Sequence, residues 1–282
     1  MDDRATHHGG MSSPSTTAMT TPTVLVLGAN GRLGRAATLA FAAAGWQVRA
    51  QLRRAPRAPL PAGVQPVLCD ALDVPALVAA GLGAQVIVNA LNPDYTRWAT
   101  LLPPITQATL QLARATGATL MLPGNVYNFG NRLPAVLTED TPFAATHPKA
   151  AQRIALEQAL ADAAADGVRS IVIRAGDFLG DAGTWVDLAM GKGLAKRPVG
   201  RFTQMGPDDL PHAWAWLPDL AQVFVQVAEH RAALPAHAVL HFEGHTLTGA
   251  QLQQAFAAAL GRPLATAAFP WPLLRLATPF SP

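Results

Sequence analysis

The apolar run Val24-Leu-Val-Leu27 passes directly into Gly28-Ala-Asn-Gly31-Arg-Leu-Gly34, and an alanine-rich helical pattern, Leu33–Ala44, follows. A run that is apolar at every position reads as a strand buried on both faces. Glycines after such a strand let backbone approach a ligand with no Cβ in the way. The new helix then points its first amides, and the positive end of its dipole, at that ligand. Strand, glycine turn and helix in this order are the context that a dinucleotide-phosphate cradle requires. The same residues also fit a plain strand-turn-helix, and the sequence leaves both open.

Strand-like and helical runs then alternate. Strands are predicted at Thr23–Leu27, Gln47–Leu52, Val64–Cys69, Gln85–Asn89, Ala118–Leu122 and Arg169–Arg174, and helices at Leu33–Ala44, Val74–Ala80, Trp98–Thr116 and Lys149–Asp166. This rhythm predicts a doubly wound (Rossmann) α/β fold, a parallel sheet covered by helices on both faces. After Arg174 it breaks, with helices expected at Trp185–Met190, Leu217–His230 and Thr248–Leu260 and a short strand at Ala238–Phe242. Three regions follow: a disordered leader over 1–22, in which Met11 or Met19 is an alternative start; a dinucleotide-binding domain over 23–174; and a small substrate lobe over 175–282, interleaved with the main domain.

Composition narrows the function classes. Half of the 282 residues are hydrophobic and 14% are charged, with a net charge of +3. The arginines are scattered and form no basic stripe with aromatics, so no nucleic-acid partner is expected. No stretch reaches the roughly 18 apolar residues of a membrane span. The single cysteine, Cys69, excludes an internal disulfide and suits a reducing, cytoplasmic setting. His241-Phe-Glu-Gly-His245 lacks helical metal-ligand spacing, so no metal is expected. No Gly-x-Ser-x-Gly elbow supports hydrolysis.

Within the cradle, Gly28, Asn30, Gly31, Arg32, Leu33 and Gly34 are the expected cofactor contacts. The second strand ends in Arg53-Arg54, where a fold preferring NAD carries an acidic residue for the ribose hydroxyls. Arg53 or Arg32 there suits a 2′-phosphate, which makes NADP the expected cofactor and NAD the lesser one. Arg53, Arg54 and Arg57 also fit a solvated basic loop. Asp70, with Ala71, is placed to accept from the adenine amino group or to begin the following helix cap. Asn89-Ala90-Leu91-Asn92 either lines the groove beside the nicotinamide ribose or forms an ordinary asparagine turn.

Together these segments resemble the extended and atypical short-chain dehydrogenases/reductases, in the epimerase/dehydratase branch. The resemblance runs from Thr23 to about Gly261 and rests on the glycine motif, Val48–Arg53, Asp70, Asn89–Asn92, Asn125-Val-Tyr127-x-x-Gly130, Ile173-Arg-Ala-Gly-Asp-Phe-Leu-Gly180 and Trp216-Leu-Pro-Asp219-Leu-Ala221. It implies an oxidoreductase or epimerase-like enzyme acting on a small carbonyl or hydroxyl compound, and a homodimer paired through helices Trp98–Thr116 and Lys149–Asp166. It also implies that the tail Leu273–Pro282 is shorter than usual. The family's catalytic serine position falls here at about Pro123, beside Gly124 and Asn125. Its Tyr-x-x-x-Lys slots hold Lys149 and Arg153, and Tyr95 and Tyr127 are the two tyrosines.

Three readings follow from that departure. Lys149, desolvated against the nicotinamide, supplies the proton or an electrostatic anchor while Asn125 or Tyr127 orients the substrate oxygen. Alternatively the protein binds NADP as a non-catalytic redox sensor or regulator. In the third reading Lys149 and Arg153 are a solvated helix face at i, i+4 spacing. In the C-terminal part, Trp214 and Trp216 beside Pro211 and His212, and Trp185 near Asp187, either line a substrate pocket or are the apolar filling between lobe and sheet. Asp219 is expected to cap its helix, and Arg174 and Asp177 to order a substrate loop or to pair with one another.

Overall fold

The runs that are apolar at every position occupy the middle of one sheet. A computed structural model describes residues 21–181, 184 and 186–272. The leader up to residue 20, Met11, Met19, Trp185 and the tail Leu273–Pro282 lie outside the described residues. In chain order the first part is β1 (Thr23–Leu27), α1 (Arg32–Ala43), β2 (Gln47–Leu52), β3 (Gln65–Leu68), α2 (Val74–Gly81), β4 (Val86–Asn89), α3 (Trp98–Thr116), β5 (Thr119–Gly124), α4 (Pro148–Asp162) and β6 (Ser170–Arg174). There follow β7 (Asp177–Leu179), the short α5 (Lys192–Leu194), β8 (Gly200–Gln204), β9 (Pro211–Trp216), α6 (Leu217–His230), β10 (His237–His241), β11 (His245–Thr248), α7 (Gly249–Leu260) and β12 (Leu264–Ala268).

The main sheet runs β10-β6-β5-β4-β1-β2-β3, with every neighbouring pair parallel. This is the doubly wound α/β fold. From β1 the chain winds outward to β2 and β3, then returns to β4 and winds the other way. The order reverses between β1 and β4, and it is at the carboxyl ends of such a switch point that folds of this kind bind ligands.

Alternate residues of each central strand serve different layers. Val24 and Val26 of β1, with Val88 of β4, pack under Phe41 of α1 and Leu220 and Phe224 of α6. Leu25 and Leu27, with Ile87, face Leu102 and Leu112 of α3 and Leu156 and Leu160 of α4. Each such side chain contributes about 1.5–3 kcal/mol by leaving water, which is why β1 holds one register on both faces. Arg174, the last residue of β6, pairs with Glu157 of α4 at 2.7 Å, both side chains 3% exposed, and not with Asp177. Its guanidinium lies 5.2 Å from the Phe129 ring and 5.1 Å from Phe143. Removing one partner of a buried pair costs about 3–5 kcal/mol, since the other charge stays dry.

The C-terminal residues serve two bodies. β10 completes the main sheet beside β6 and α6 packs on α1. β7, β9 and β11 form a three-stranded sheet and β8 pairs with β12, around a small core of Val186, Met190, Phe202, Trp214, Leu252 and Leu264. The helix expected at Trp185–Met190 is a π-helical turn at Asp187–Gly191. Asp219 lies in the first turn of α6, whose N-cap is Trp216, and its carboxylate stands 3.6 Å from His245. The N-cap reading of Asp219 is therefore corrected.

Gly34 has no space for a side chain, because a Cβ there would run into the Gly28 carbonyl. Gly34→Ala is expected to lower stability by roughly 1–3 kcal/mol, as overpacking against backbone does, seen as a lower urea midpoint. Gly191→Ala, whose methyl meets open space, should stay within about 0.5 kcal/mol of the parent. Equal effects at the two sites would contradict this packing.

Candidate functional site

At the carboxyl end of β1, Gly28 adopts φ +73°, a left-handed conformation that favours glycine. A Cβ on Gly28 would stand 3.1 Å from the Ala90 carbonyl oxygen, and one on Gly31 would stand 3.2 Å from the Gly28 carbonyl. The Gly31 amide donates to the Gly28 carbonyl at 2.8 Å, closing the turn. Gly31 is the N-cap of α1, no side chain caps this end, and no acidic residue lies in the first turn. A cradle that side chains would fill, at a helix start that no side chain satisfies, fits a dinucleotide diphosphate.

Gln51, which the sequence reading missed, holds this turn. Its side chain is 1% exposed; its Oε1 accepts from the Gly28 amide at 2.9 Å and its Nε2 donates to the Cys69 carbonyl at 2.7 Å. A glutamine in an otherwise buried strand end was the available signal, since a buried amide needs partners on both atoms. Asn30 ties the turn to the loop after β2: its Nδ2 donates to the Ala55 carbonyl at 3.1 Å and its Oδ1 accepts from the Arg57 amide at 3.0 Å. Behind this clamp lies a crevice of about 390 Å³ lined by Asn30, Arg32, Arg35, Arg57 and Asp181, among others. Arg53 is exposed at the end of β2.

On the far side, Asn89 is buried, and its Oδ1 accepts from the Leu91 amide at 3.2 Å, which shapes the Asn89-Ala90-Leu91 turn against Gly28. Asp70 is exposed and its Oδ1 accepts from the Leu72 amide at 2.8 Å, with Ala71 between them. The cap of α2 is Asp73, which accepts from Ala76; Asp70 is not that cap.

Beyond β5, the Asn125 Oδ1 accepts from the Tyr127 amide at 3.0 Å and turns the chain into a single 3-10 turn, Tyr127–Phe129. The Tyr127 ring meets Trp98 at 6.3 Å and, edge-on, His147 at 5.7 Å. Tyr95 stacks on Trp98 at 4.8 Å. Lys149 stands exposed, not desolvated, with Nζ 4.7 Å from the centre of the Tyr95 ring. Arg153 is buried at 6% exposure. Its Nη2 donates to the Pro123 carbonyl at 2.6 Å and its guanidinium lies 5.7 Å from Trp98. Lys149 and Arg153 thus form no solvated face together: one reaches water and the other anchors the end of β5.

The electrostatics follow from this burial. Desolvation above all, then the nearby Tyr95 and the negative charge of Asp177, push the Tyr127 phenol well above its ordinary range, against a smaller pull from Arg153. Tyr127 is therefore a neutral phenol near neutral pH, a hydrogen-bond donor. Desolvation also draws Arg153 below the usual arginine value, opposed by Glu157. Tyr127 and Lys149 thus border one aromatic cluster with Tyr95, Trp98 and His147, and no spacing signal in the sequence linked them.

Trp214 is buried in the lobe core, whereas Trp216, 43% exposed, lines a crevice of about 350 Å³ with Arg32, Gly180 and Leu217. Among the described residues no three His, Cys, Asp or Glu side chains gather as for a metal; His241 is instead bonded to Arg174 Nη1 at 3.1 Å. No helix of the described residues is long and apolar enough to cross a membrane.

A family profile described as NAD(P)H-binding matches residues 28–196, which span the glycine turn, Tyr127, Lys149 and Arg153. No curated protein matches the chain in sequence. Among solved structures, UDP-glucose 4-epimerase from Brucella ovis in complex with NAD is similar at a TM-score of 0.73 and 19% identity, covering 88% of this chain and 86% of that one. The UDP-glucose 4-epimerase of Thermus thermophilus, in complex with NAD, gives 0.71 and 18%, over 87% and 86%. The UDP-Glc/GlcNAc 4-epimerase from Campylobacter jejuni gives 0.71 and 14%, over 88% and 87%. At these identities the likeness is one of fold. The chain belongs to the NAD(P)H-binding family, and its fold is that of the epimerase/dehydratase branch of the short-chain dehydrogenases/reductases that its motifs resemble.

Proposed function

We propose that the protein is an NADP-preferring oxidoreductase or epimerase-like enzyme acting on a small carbonyl or hydroxyl compound, with Lys149, Arg153, Asn125 and Tyr127 in place of the usual tyrosine and lysine set. The observation that carries this reading is the uncapped start of α1 behind Gly28 and Gly31. In this reading Gly28, Asn30, Gly31, Arg32, Leu33 and Gly34 hold the diphosphate, Asp70 and Ala71 border the adenine, and Asn89, Ala90 and Leu91 border the nicotinamide ribose. Arg32 and Arg57, in the crevice behind Asn30, take the 2′-phosphate, with Arg53 at its mouth. The bound dinucleotide supplies or accepts the hydride. Tyr127 donates to the substrate oxygen, Lys149 offsets negative charge at the pocket entrance, and Arg153 positions Asn125 and Tyr127 through the Pro123 carbonyl. Asn125 acts as the turn former that aims the phenol. The reading extends to a cytoplasmic homodimer paired through α3 and α4, as the family resemblance implies.

Fluorescence titration of the purified chain with NADPH and NADH tests the cofactor assignment. NADPH is expected to bind about ten- to a hundredfold more tightly, the worth of one or two charge-assisted hydrogen bonds. Arg57→Ala or Arg32→Ala should narrow that gap and Arg53→Ala should narrow it less. Equal affinities for the two coenzymes would remove the argument from the arginines.

Lys149 and Arg153 should separate on substitution. Arg153→Ala leaves the Pro123 carbonyl without its charged donor and opens a void under Trp98, so a stability loss of roughly 2–4 kcal/mol is expected. Exposed Lys149→Ala should stay within about 0.5 kcal/mol. With a panel of small aldehydes and ketones, Lys149→Ala should lower NADPH turnover while coenzyme affinity is largely kept. Tight NADPH binding with no turnover in the parent chain would favour a redox sensor.

A further inference from the structure

We infer that His212, held by Asp177, is the group that exchanges the substrate proton, a role that rests on the redox reading above and deepens it. In the redox reading the aromatic cluster around Tyr127 orients the substrate oxygen. The phenol of Tyr127 stays neutral, Lys149 stands at the entrance, and Arg153 is engaged with backbone. Histidine is the side chain that ordinarily changes charge near neutral pH.

The placement of the pair follows from two short strands. β6 ends beside Gly124, and the Ala175 amide donates to the Gly124 carbonyl at 3.3 Å. While Gly124 on the other strand leads through Asn125 to Tyr127, Asp177, two residues beyond Ala175, opens β7. The next residue reaches the opposite wall of the crevice. Arg32 Nη1 donates to the Phe178 carbonyl at 3.4 Å, and its guanidinium lies 6.0 Å from the Phe178 ring. β7 and the residues before it thus run from the end of β5 to the start of α1. β9 lies beside it, Asp177 opposite Trp214, and sets His212 Nε2 2.9 Å from Asp177 Oδ2. The imidazole packs on the Trp214 ring at 4.4 Å. A side chain at Gly176 would run into the Ala213 backbone, so the two strands are fixed together at this point. An ion pair this open, 47% and 39% exposed, adds little to stability. Its openness does let solvent restore a proton.

With Asp177 accepting from Nε2, the exchangeable proton of the imidazolium is on Nδ1. In a reduction, the carbonyl carbon gains a hydride from a reduced nicotinamide dinucleotide and its π pair moves onto oxygen. His212 gives that oxygen its Nδ1 proton, and solvent reprotonates the neutral imidazole. Oxidation runs the same transfers in reverse, the alcohol proton passing to Nδ1.

p-Nitrophenolate, a stand-in for the developing alkoxide, tests this in protein loaded with NADP⁺. The parent chain is expected to bind it about ten- to a hundredfold more tightly than His212→Gln, the worth of one charge-assisted hydrogen bond, with NADP⁺ affinity unchanged. The imidazole signal that His212→Gln removes from the ¹H–¹⁵N spectrum should shift when phenolate is added. Asp177→Asn, with a native far-UV spectrum, should weaken phenolate binding in the same direction. Equal phenolate affinity in the parent and His212→Gln, absence of phenolate binding in the parent, or an unmoved His212 signal would each overturn the proposal. Failure of the parent to bind NADP⁺ would overturn the redox reading, and this assignment with it.

Discussion

The close approach of backbone to backbone at the end of β1 is the constraint on which the rest depends. Gly34 lies against the Gly28 carbonyl, and Gly28 lies against Ala90. These contacts seat the start of α1 over the switch between β1 and β4, and they leave that helix end without a side-chain cap. Gln51 and Asn30 then hold the turn from the β2 side. A helix start of this kind favours an anion through its unsatisfied amides and dipole together, so fold and ligand class come from the same few residues.

The other wall of the crevice is built by different means. Arg153 and Arg174 are buried cations, and each fixes a strand end: Arg153 through the Pro123 carbonyl, Arg174 through Glu157. Buried charges are costly unless hydrogen-bonded. Here their bonds go to groups that set the direction of the chain leaving β5 and β6. The chain thereby leaves the paired ends of β5 and β6 toward Tyr127 on one side and Asp177 on the other. The family's Tyr-x-x-x-Lys places its pair on one helix turn; here Lys149 lies on α4 and Tyr127 beyond the end of β5.

The main sheet was legible because central strands such as β1 are apolar throughout and its helices carry clear boundaries: β1, β2, α3 and α6 fall at the predicted residues. In the lobe the helix Gly249–Leu260, capped by Thr248, falls where expected, but most of the strands were not legible. Strands such as Gly200–Gln204 and Pro211–Trp216 are short and half exposed, so neither alternation nor an apolar run marks them. At the site, the glycine turn was readable from local chemistry, whereas Gln51, Tyr95 and Asp177 matter through partners distant in sequence. Arg153 illustrates the limit. Its spacing from Lys149 suggested a shared face, and only the packing of α4 against Trp98 and Pro123 separates a buried anchor from an exposed amine. Arg174 is similar: pairing with Asp177 was one of two readings left open, and nearness in sequence says nothing of Glu157 across the layer, its partner here.

A crystal structure of the chain grown with NADP⁺ tests the central claim most directly. The account predicts the diphosphate within hydrogen-bonding distance, about 3 Å, of the first-turn amides of α1, with the ribose phosphate beside Arg32 and Arg57. A diphosphate seated elsewhere, or a protein side chain occupying that helix start in the presence of saturating coenzyme, would contradict it.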